Sequence, residues 1–108
     1  MEICSEWPVG PTTESMKKIF TSKTPSLILS GQYDPVTPPS YAEKLAANLD
    51  NTLHIVGEGQ GHGMISRGCI PKVISDFLED PILENLKTDC TKHLKPVPFF
   101  VNAYGPSP

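Results

Sequence analysis

The strongest constraint on the fold is the order in which short apolar runs and amphipathic segments follow one another. The run TPSLILSG at 24–31 is entered through Pro25 and closed by Gly31, and TLHIVG at 52–57 gives a second short apolar run. Such runs predict strands, the first of them covered on both faces. Alternation of strands with helices predicts parallel strands joined by crossovers, so the expected fold class is α/β. Because two strands make an inadequate sheet, we expect the chain to form the end of a larger sheet.

Each predicted strand is followed by a predicted amphipathic helix. The first spans 38–49, with Thr37 as its expected N-cap, and its apolar face consists of Tyr41, Ala42, Leu45, Ala46 and Leu49. The second stops at Asp80-Pro81, and its apolar face consists of Ile70, Val73, Ile74, Phe77 and Leu78.

The segments outside these elements have weaker patterns, and residues 14–20 are expected to form a short helical turn at best. The tail from 82 to 108 is proline-rich, and we expect PFFVNAY (98–104) to form an extended segment. We expect 1–108 to be a single domain with its core in residues 24–80.

Composition excludes several classes of protein. With 38% hydrophobic and 19% charged residues, the 108-residue chain is typical of a folded domain or part of one. No apolar run reaches the roughly 18 residues that a membrane helix needs. The net charge is −3 and no basic cluster exceeds Lys17-Lys18, so we expect neither a nucleic-acid partner nor a membrane partner. The first residues lack the pattern of a signal peptide.

The sequence contains three cysteines, and no two of them have the CxxC spacing. Their spacing argues against a zinc knuckle, and it leaves open which cysteines pair with each other.

Two polar side chains follow the predicted strands and form the candidate site. Asp34 stands five residues after Leu29, and His62 stands six residues after Val56 within the glycine-rich stretch GEGQGHGMIS. Working groups in α/β sheets collect beyond the carboxyl ends of strands, so both should lie on one rim. There, an aspartate can accept the imidazole N–H and fix the tautomer of a catalytic base. The simpler interpretation is that Asp34 bonds its own backbone in a turn, and that His62 is an ordinary loop residue.

The sequence around these residues resembles a known family. LILSGQYDPVTPP and HIVGEGQGHG resemble the acid and histidine segments of α/β-hydrolases, and more narrowly those of the tripeptidyl aminopeptidase-like (TAP-like) serine peptidases, relatives of the prolyl aminopeptidases. CSEWPVG, RGCIPKVISDFLED and LKTDC extend the resemblance over most of residues 4–90. It implies the C-terminal portion of an α/β-hydrolase, with Asp34 as the acid and His62 as the base of a Ser-Asp-His triad.

The same resemblance implies a disulfide between Cys69 and Cys90, and for Cys4 a partner that lies upstream. It suggests a secreted or periplasmic protein, and it implies an aminopeptidase-type serine hydrolase with N-terminal peptides or related amides and esters as substrates. No G-x-S-x-G nucleophile motif occurs in the 108 residues, and GMISRG (63–68) has the wrong spacing, so Ser66 is interpreted as a loop or capping hydroxyl. We therefore expect no activity from the chain alone and no cofactor.

Three hypotheses about function stay open. The first is a hydrolase portion that works with a nucleophile-bearing N-terminal portion. The second is a non-catalytic module that self-associates to cover its sheet edge. The third is a metal-binding or peptide-binding module, for which zinc held by His62, His93 and Cys90 is disfavoured by the spacing. Of the remaining side chains, His54 is assigned to packing, His93 to the surface, and Trp7 and Tyr33 to the core or rim.

Overall fold

The structure, a computed structural model, describes residues 6, 10–11, 13–96 and 98–105. Strand β1 (Ser26–Gly31) leads to helix α1 (Pro39–Ala46), and strand β2 (Thr52–Gly57) leads to helix α2 (Ile70–Glu79). Short 3₁₀ helices at Glu14–Lys17, Leu83–Asn85 and Asp89–His93 flank this unit. The predicted order of strands and helices is confirmed, and the fold class is α/β.

The two strands pair in parallel as neighbours. Their register runs from Ser26 opposite Thr52 to Gly31 opposite Gly57, so both strands end at the same level. Both runs are rich in leucine, isoleucine and valine, which favour the pleated, half-buried environment of a sheet. The loops that carry Asp34 and His62 therefore leave the sheet side by side.

Helix α1 contacts both strands but is shorter than the 38–49 predicted for it. The prediction of Thr37 as its N-cap was wrong. Pro38 holds the N-cap position with extended backbone angles, and no side chain caps the helix. The Thr37 hydroxyl is instead engaged by the Asp34 carboxylate, as described below. Pro39 occupies the start of the helix, where its missing N–H costs nothing because that group would have no partner within the helix.

The core lies between the sheet and α2. Among the described residues the buried apolar side chains are Ile55, Met64, Ile70, Val73 and Leu94. Side chains that alternate along the two strands pack against this cluster, namely Leu27, Leu29 and Leu53. No residue of α1 belongs to the core. The histidine loop contributes Met64 and the tail contributes Leu94, so the candidate site and the tail are both anchored in the same core.

A disulfide joins Cys69, at the N-terminal end of α2, to Cys90 in the last 3₁₀ helix, with a Cα–Cα distance of 6.3 Å. The pairing implied by the family resemblance is thus present in the structure. It ties the tail to the helix that follows the histidine loop. Cys4 and Trp7 lie outside the described residues.

The tail departs from the extended segment expected at PFFVNAY. Residues 98–105 hold no strand, only an isolated antiparallel bridge between Asn102 and Gly105. Phe99 and Phe100 are largely exposed. A strand requires a neighbour for its backbone hydrogen bonds, and in the described part of the chain no strand lies beside this segment. Within the described residues, no helix has the length and apolar character needed to span a bilayer.

Candidate active site

Two loops at the carboxyl ends of β1 and β2 form the candidate site. The acid loop comprises residues 32–38 and the histidine loop comprises residues 58–66. Backbone hydrogen bonds connect them, since the N–H of Gln32 donates to the Gly57 carbonyl at 3.0 Å and the N–H of Tyr33 donates to the Gln60 carbonyl at 2.9 Å. The Gln32 side chain adds a third link by accepting the N–H of Gly59 at 2.8 Å. The two loops are thereby fixed relative to one another.

Gly31 makes this close approach of the loops possible. A Cβ atom at this position would collide with the carbonyl oxygen of Gly61 and would lie 2.7 Å from the carbonyl oxygen of Gln60. Both obstacles are backbone atoms, which cannot turn aside as a flexible side chain can. Glycine is therefore required where β1 ends, because any side chain would push the histidine loop away from the acid loop.

The Asp34 carboxylate is buried and receives four hydrogen bonds. Its Oδ1 accepts the backbone N–H groups of Val36 and Thr37, both at 2.9 Å. Its Oδ2 accepts the Thr37 hydroxyl and Nδ1 of His62, both at 2.8 Å. Burial by itself would raise the pKa of Asp34, but the hydrogen bonds from Thr37, His62 and Val36 outweigh it and hold this pKa far below its ordinary value. Asp34 is therefore an anion at neutral pH.

An ionised Asp34 determines which nitrogen of His62 carries the proton. A carboxylate can only accept hydrogen bonds, so Nδ1 of His62 must be the donor across the 2.8 Å contact. In the neutral ring, Nε2 is then left with a free lone pair. The side chain of His62 is 60% exposed whereas that of Asp34 is 5% exposed. The pair thus has a buried acceptor and a ring whose second nitrogen can receive a proton from outside.

His62 lies at the exposed tip of residues 60–64 of the histidine loop, a segment that we call the arch. Gln60 and Met64 are buried on either side of it, while Gly61, His62 and Gly63 are exposed. Gly63 has a φ of 85°, a conformation that L side chains rarely adopt. Two buried side chains therefore hold the ends of the arch, and the glycines let the backbone turn outward between them.

Comparison with known proteins identifies the family of this chain. The family model described as TAP-like protein, one of the α/β-hydrolase models, matches residues 1–90. The chain belongs to the TAP-like family. It is 29% identical over 77 residues to proteins named serine protease Hip1 from Mycobacterium tuberculosis and Mycobacterium bovis. The match covers 69% of this chain but only 15% of each relative, so the chain spans a small part of their length. No solved structure gives a significant match.

The TAP-like chain brings together the two residues predicted for the site. Asp34 also bonds its own backbone, as the simpler interpretation of a turn predicted, so both interpretations of this aspartate describe real contacts. Thr37 was not predicted as part of the site. The signal for it was a threonine three residues after an aspartate, a spacing at which its hydroxyl can return to the carboxylate.

The other histidines of the TAP-like chain lie elsewhere. Nε2 of His54 contacts the Ser30 hydroxyl at 2.9 Å across the two strands, and His93 is exposed. The sulfur of Cys90 is held in the disulfide, so it is not available as the thiolate that the disfavoured zinc site would use. In the part of the chain that the structure describes, no group of three or more histidine, cysteine or acidic side chains could hold a metal ion.

Proposed function

We propose that this chain is the acid-and-histidine portion of a serine hydrolase, with Asp34 and His62 as two members of a Ser-Asp-His triad. The observation that carries the proposal is the 2.8 Å contact between Nδ1 of His62 and the buried carboxylate of Asp34, with the imidazole ring exposed. An aspartate that only stabilises a turn needs hydrogen bonds from the nearby backbone, whereas the buried Asp34 carboxylate receives four hydrogen bonds in all. Membership of the TAP-like family and similarity to proteins named serine protease support the same function.

Each residue would have a distinct role in acyl transfer. The serine hydroxyl would donate to Nε2 of His62, which takes its proton as the oxygen attacks the carbonyl carbon of the substrate. Asp34 would stabilise the imidazolium that forms. His62 would then return the proton to the leaving group, and a water activated in the same way would hydrolyse the acyl-enzyme. Thr37 would hold the Asp34 carboxylate in the orientation that His62 needs.

The nucleophile would come from another portion of an α/β-hydrolase, since the 108 residues contain no G-x-S-x-G. We propose that this portion continues the parallel sheet and that residues 1–108 form one domain with it. The small core and the pair of strands in the described residues support this view. By itself the chain would be inactive. Peptides or related amides and esters are the proposed substrates, in keeping with the word protease in the names of the relatives.

Self-association is a second candidate, and exposed apolar surface favours it. Leu78 of α2 is 75% exposed and Val56 of β2 is 43% exposed, as they would be where a further layer or copy is absent. Pairing of two copies would cover such surface without catalysis. Sedimentation at several concentrations distinguishes the two candidates. A dimer that persists when a nucleophile-bearing portion is supplied favours self-association, and replacement of the dimer by a mixed complex favours the hydrolase.

Hydrolysis in a reconstituted assembly tests the proposed function. The chain is co-expressed with a TAP-like portion bearing G-x-S-x-G, and release of an arylamine from peptide arylamides is measured. We expect turnover by the assembly and a loss of about a thousandfold or more when His62→Gln removes the base. His93→Gln is the matched control, because His93 is exposed on the tail, and it should leave the rate unchanged. A well-formed complex with no turnover would count against the proposal.

A further inference from the structure

Gln60 is a buried polar side chain in the histidine loop, two residues before His62. It is 6% exposed. Its side-chain nitrogen Nε2 donates to the carbonyl oxygen of Lys95 at 2.7 Å and to that of Glu58 at 3.2 Å. Both partners are acceptors, so the NH₂ end of the amide must face them. A carboxylate of the same shape would offer no hydrogen to either carbonyl. Gln60 is therefore matched to its site by the two hydrogens that its amide can donate.

The partner of Gln60 belongs to residues 88–96 of the tail, a part that is distant in sequence but lies closely against the histidine loop. A Cβ atom at Gly59 would lie 2.6 Å from the Pro96 nitrogen, so the loop and the tail are in contact with no space between them. Leu94 is buried in the core, and the disulfide at Cys90 attaches the tail to α2. The tail is thus an anchored segment, and Gln60 is the side chain that links the loop to its backbone.

The arch that carries His62 depends on its two buried ends. Met64 secures the C-terminal end through apolar packing against Gly57, where a Cβ atom would lie 2.7 Å from the methionine sulfur. Gln60 secures the N-terminal end through its hydrogen bonds. Its backbone carbonyl also accepts the N–H of Tyr33, so the same residue joins the tail, the histidine loop and the acid loop.

We propose that Gln60 is a positioning residue for His62, and that its amide, by bonding the Lys95 carbonyl, keeps the imidazole in line with Asp34. The catalytic meaning of this role rests on the proposed function, although the geometry does not. A side chain without a donor at position 60 would leave the Lys95 carbonyl unpaired and would free the N-terminal end of the arch. His62 would then lose its fixed distance to the buried carboxylate while β1 and β2 stayed paired.

Nuclear magnetic resonance of the full 108-residue chain tests this inference. The variant is Gln60→Met, which keeps the length of the side chain and removes both donors. The readouts are the tautomer of His62 and the exchange rate of its Nδ1 proton with water. We expect that exchange to become about five to ten times faster, the factor that accompanies loss of the one hydrogen bond to the Lys95 carbonyl. The protection of the β1 and β2 amides should stay close to that of the unmodified chain.

Gln32→Met is the matched control, because it removes a hydrogen bond to Gly59 of the same loop without touching the tail. It should change the Nδ1 exchange of His62 much less than Gln60→Met does. Gln60→Glu is the second variant and covers the case in which the methionine variant does not fold. At neutral pH its Nδ1 exchange should be as fast as that of Gln60→Met, since the ionised carboxyl group offers no donor to either carbonyl.

Unchanged tautomer and exchange of His62 in a variant that retains the protected sheet would overturn the positioning role. Equal changes in the Nδ1 exchange rate of His62 in Gln60→Met and Gln32→Met would also overturn it. The hydrogen bond to the tail would then position His62 no more than the hydrogen bond to Gly59 does. Failure of the proposed function looks different. In that case the unmodified assembly shows no serine reactivity, while the His62 signals still respond to Gln60→Met.

Discussion

Replacing Asp34 by asparagine should reverse the tautomer of His62. Oδ1 of Asp34 accepts two backbone N–H groups, from Val36 and Thr37, so the amide oxygen of the variant must occupy that position. The NH₂ group is then placed where Oδ2 stood, 2.8 Å from Nδ1 of His62. A donor in that position requires Nδ1 to accept, and the ring proton moves to Nε2. The nitrogen that should take the serine proton is then already protonated.

The size of the effect follows from the loss of the base. In a Ser-His-Asp triad, the same exchange of acid for amide lowers the turnover rate about 10⁴-fold, because the histidine is held in the wrong tautomer. At about 1.4 kcal/mol for each factor of ten, the barrier to acylation rises by about 5 kcal/mol. The fold should change little, because the amide has nearly the shape of the carboxylate and keeps both backbone hydrogen bonds to its oxygen.

The assay is the rate of acyl-enzyme formation in a single turnover by the assembly of this chain with a nucleophile-bearing portion. Asp89→Asn is the matched control, because Asp89 has a 90% exposed side chain and pairs with the exposed Lys92. The control should acylate at the unmodified rate. A rate for Asp34→Asn within tenfold of the unmodified rate, in a complex that has formed normally, would refute the role assigned to Asp34.

Three further predictions concern stability, each measured by urea unfolding. Gly31→Ala should lower the free energy of unfolding by at least about 2 kcal/mol, because the added Cβ atom meets backbone carbonyl oxygens. Gly10 has open space around it, so the control Gly10→Ala should change the free energy of unfolding by about 0.5 kcal/mol or less. Removing the disulfide by replacing Cys69 and Cys90 with serine should cost about 3 kcal/mol, given the 21-residue separation. The pKa of Asp34 in the folded state lies below its ordinary 3.8. The part of the free energy of unfolding that ionised Asp34 contributes is therefore fully present above pH 3.8, and it is lost as the pH falls toward the folded-state pKa. The Asp34→Asn variant should lack that component of the acid destabilisation, and an equal acid slope in both proteins would contradict this prediction.

Much of the fold could be predicted because the decisive signals are local. The apolar run at 24–31 contains β1 and the run at 52–57 coincides with β2, since each is bounded by residues that end a strand. The i, i+3, i+4 pattern from Ile70 located α2 closely for the same reason. Parallel topology then placed Asp34 and His62 on one rim without knowledge of any long-range contact.

The details of the site could not be predicted, because they depend on competition between contacts of similar strength. Thr37 lies just before α1, where its hydroxyl could accept a backbone N–H as a cap, but it donates to the buried Asp34 carboxylate, and hydrogen bonds to ionised groups are the stronger kind. Gln60 stands among glycines in a stretch typical of an exposed loop. Its burial depends on Lys95, a partner 35 residues away, and on the path of a tail that has no clear periodic pattern.

The extended segment expected at 98–104 is contradicted at 102–105, where the chain turns, and the described residues of this segment form no strand. Aromatic and β-branched residues favour strands only when a neighbouring strand supplies hydrogen-bond partners. Phe99, 90% exposed, has no such neighbour in the described part of the chain. The same consideration applies to the sheet as a whole, in which the described strands pair only with each other.

The most direct test of the central claim is intact-mass measurement after treatment with a fluorophosphonate, which bonds covalently to an activated serine. The account predicts no added mass on the 108-residue chain, alone or in the assembly. It also predicts one added phosphonate on the nucleophile-bearing portion, and loss of that label when the chain carries His62→Gln. A phosphonate bonded to the 108-residue chain itself would mean that its nucleophile lies within these residues, and would contradict the division of the triad proposed here.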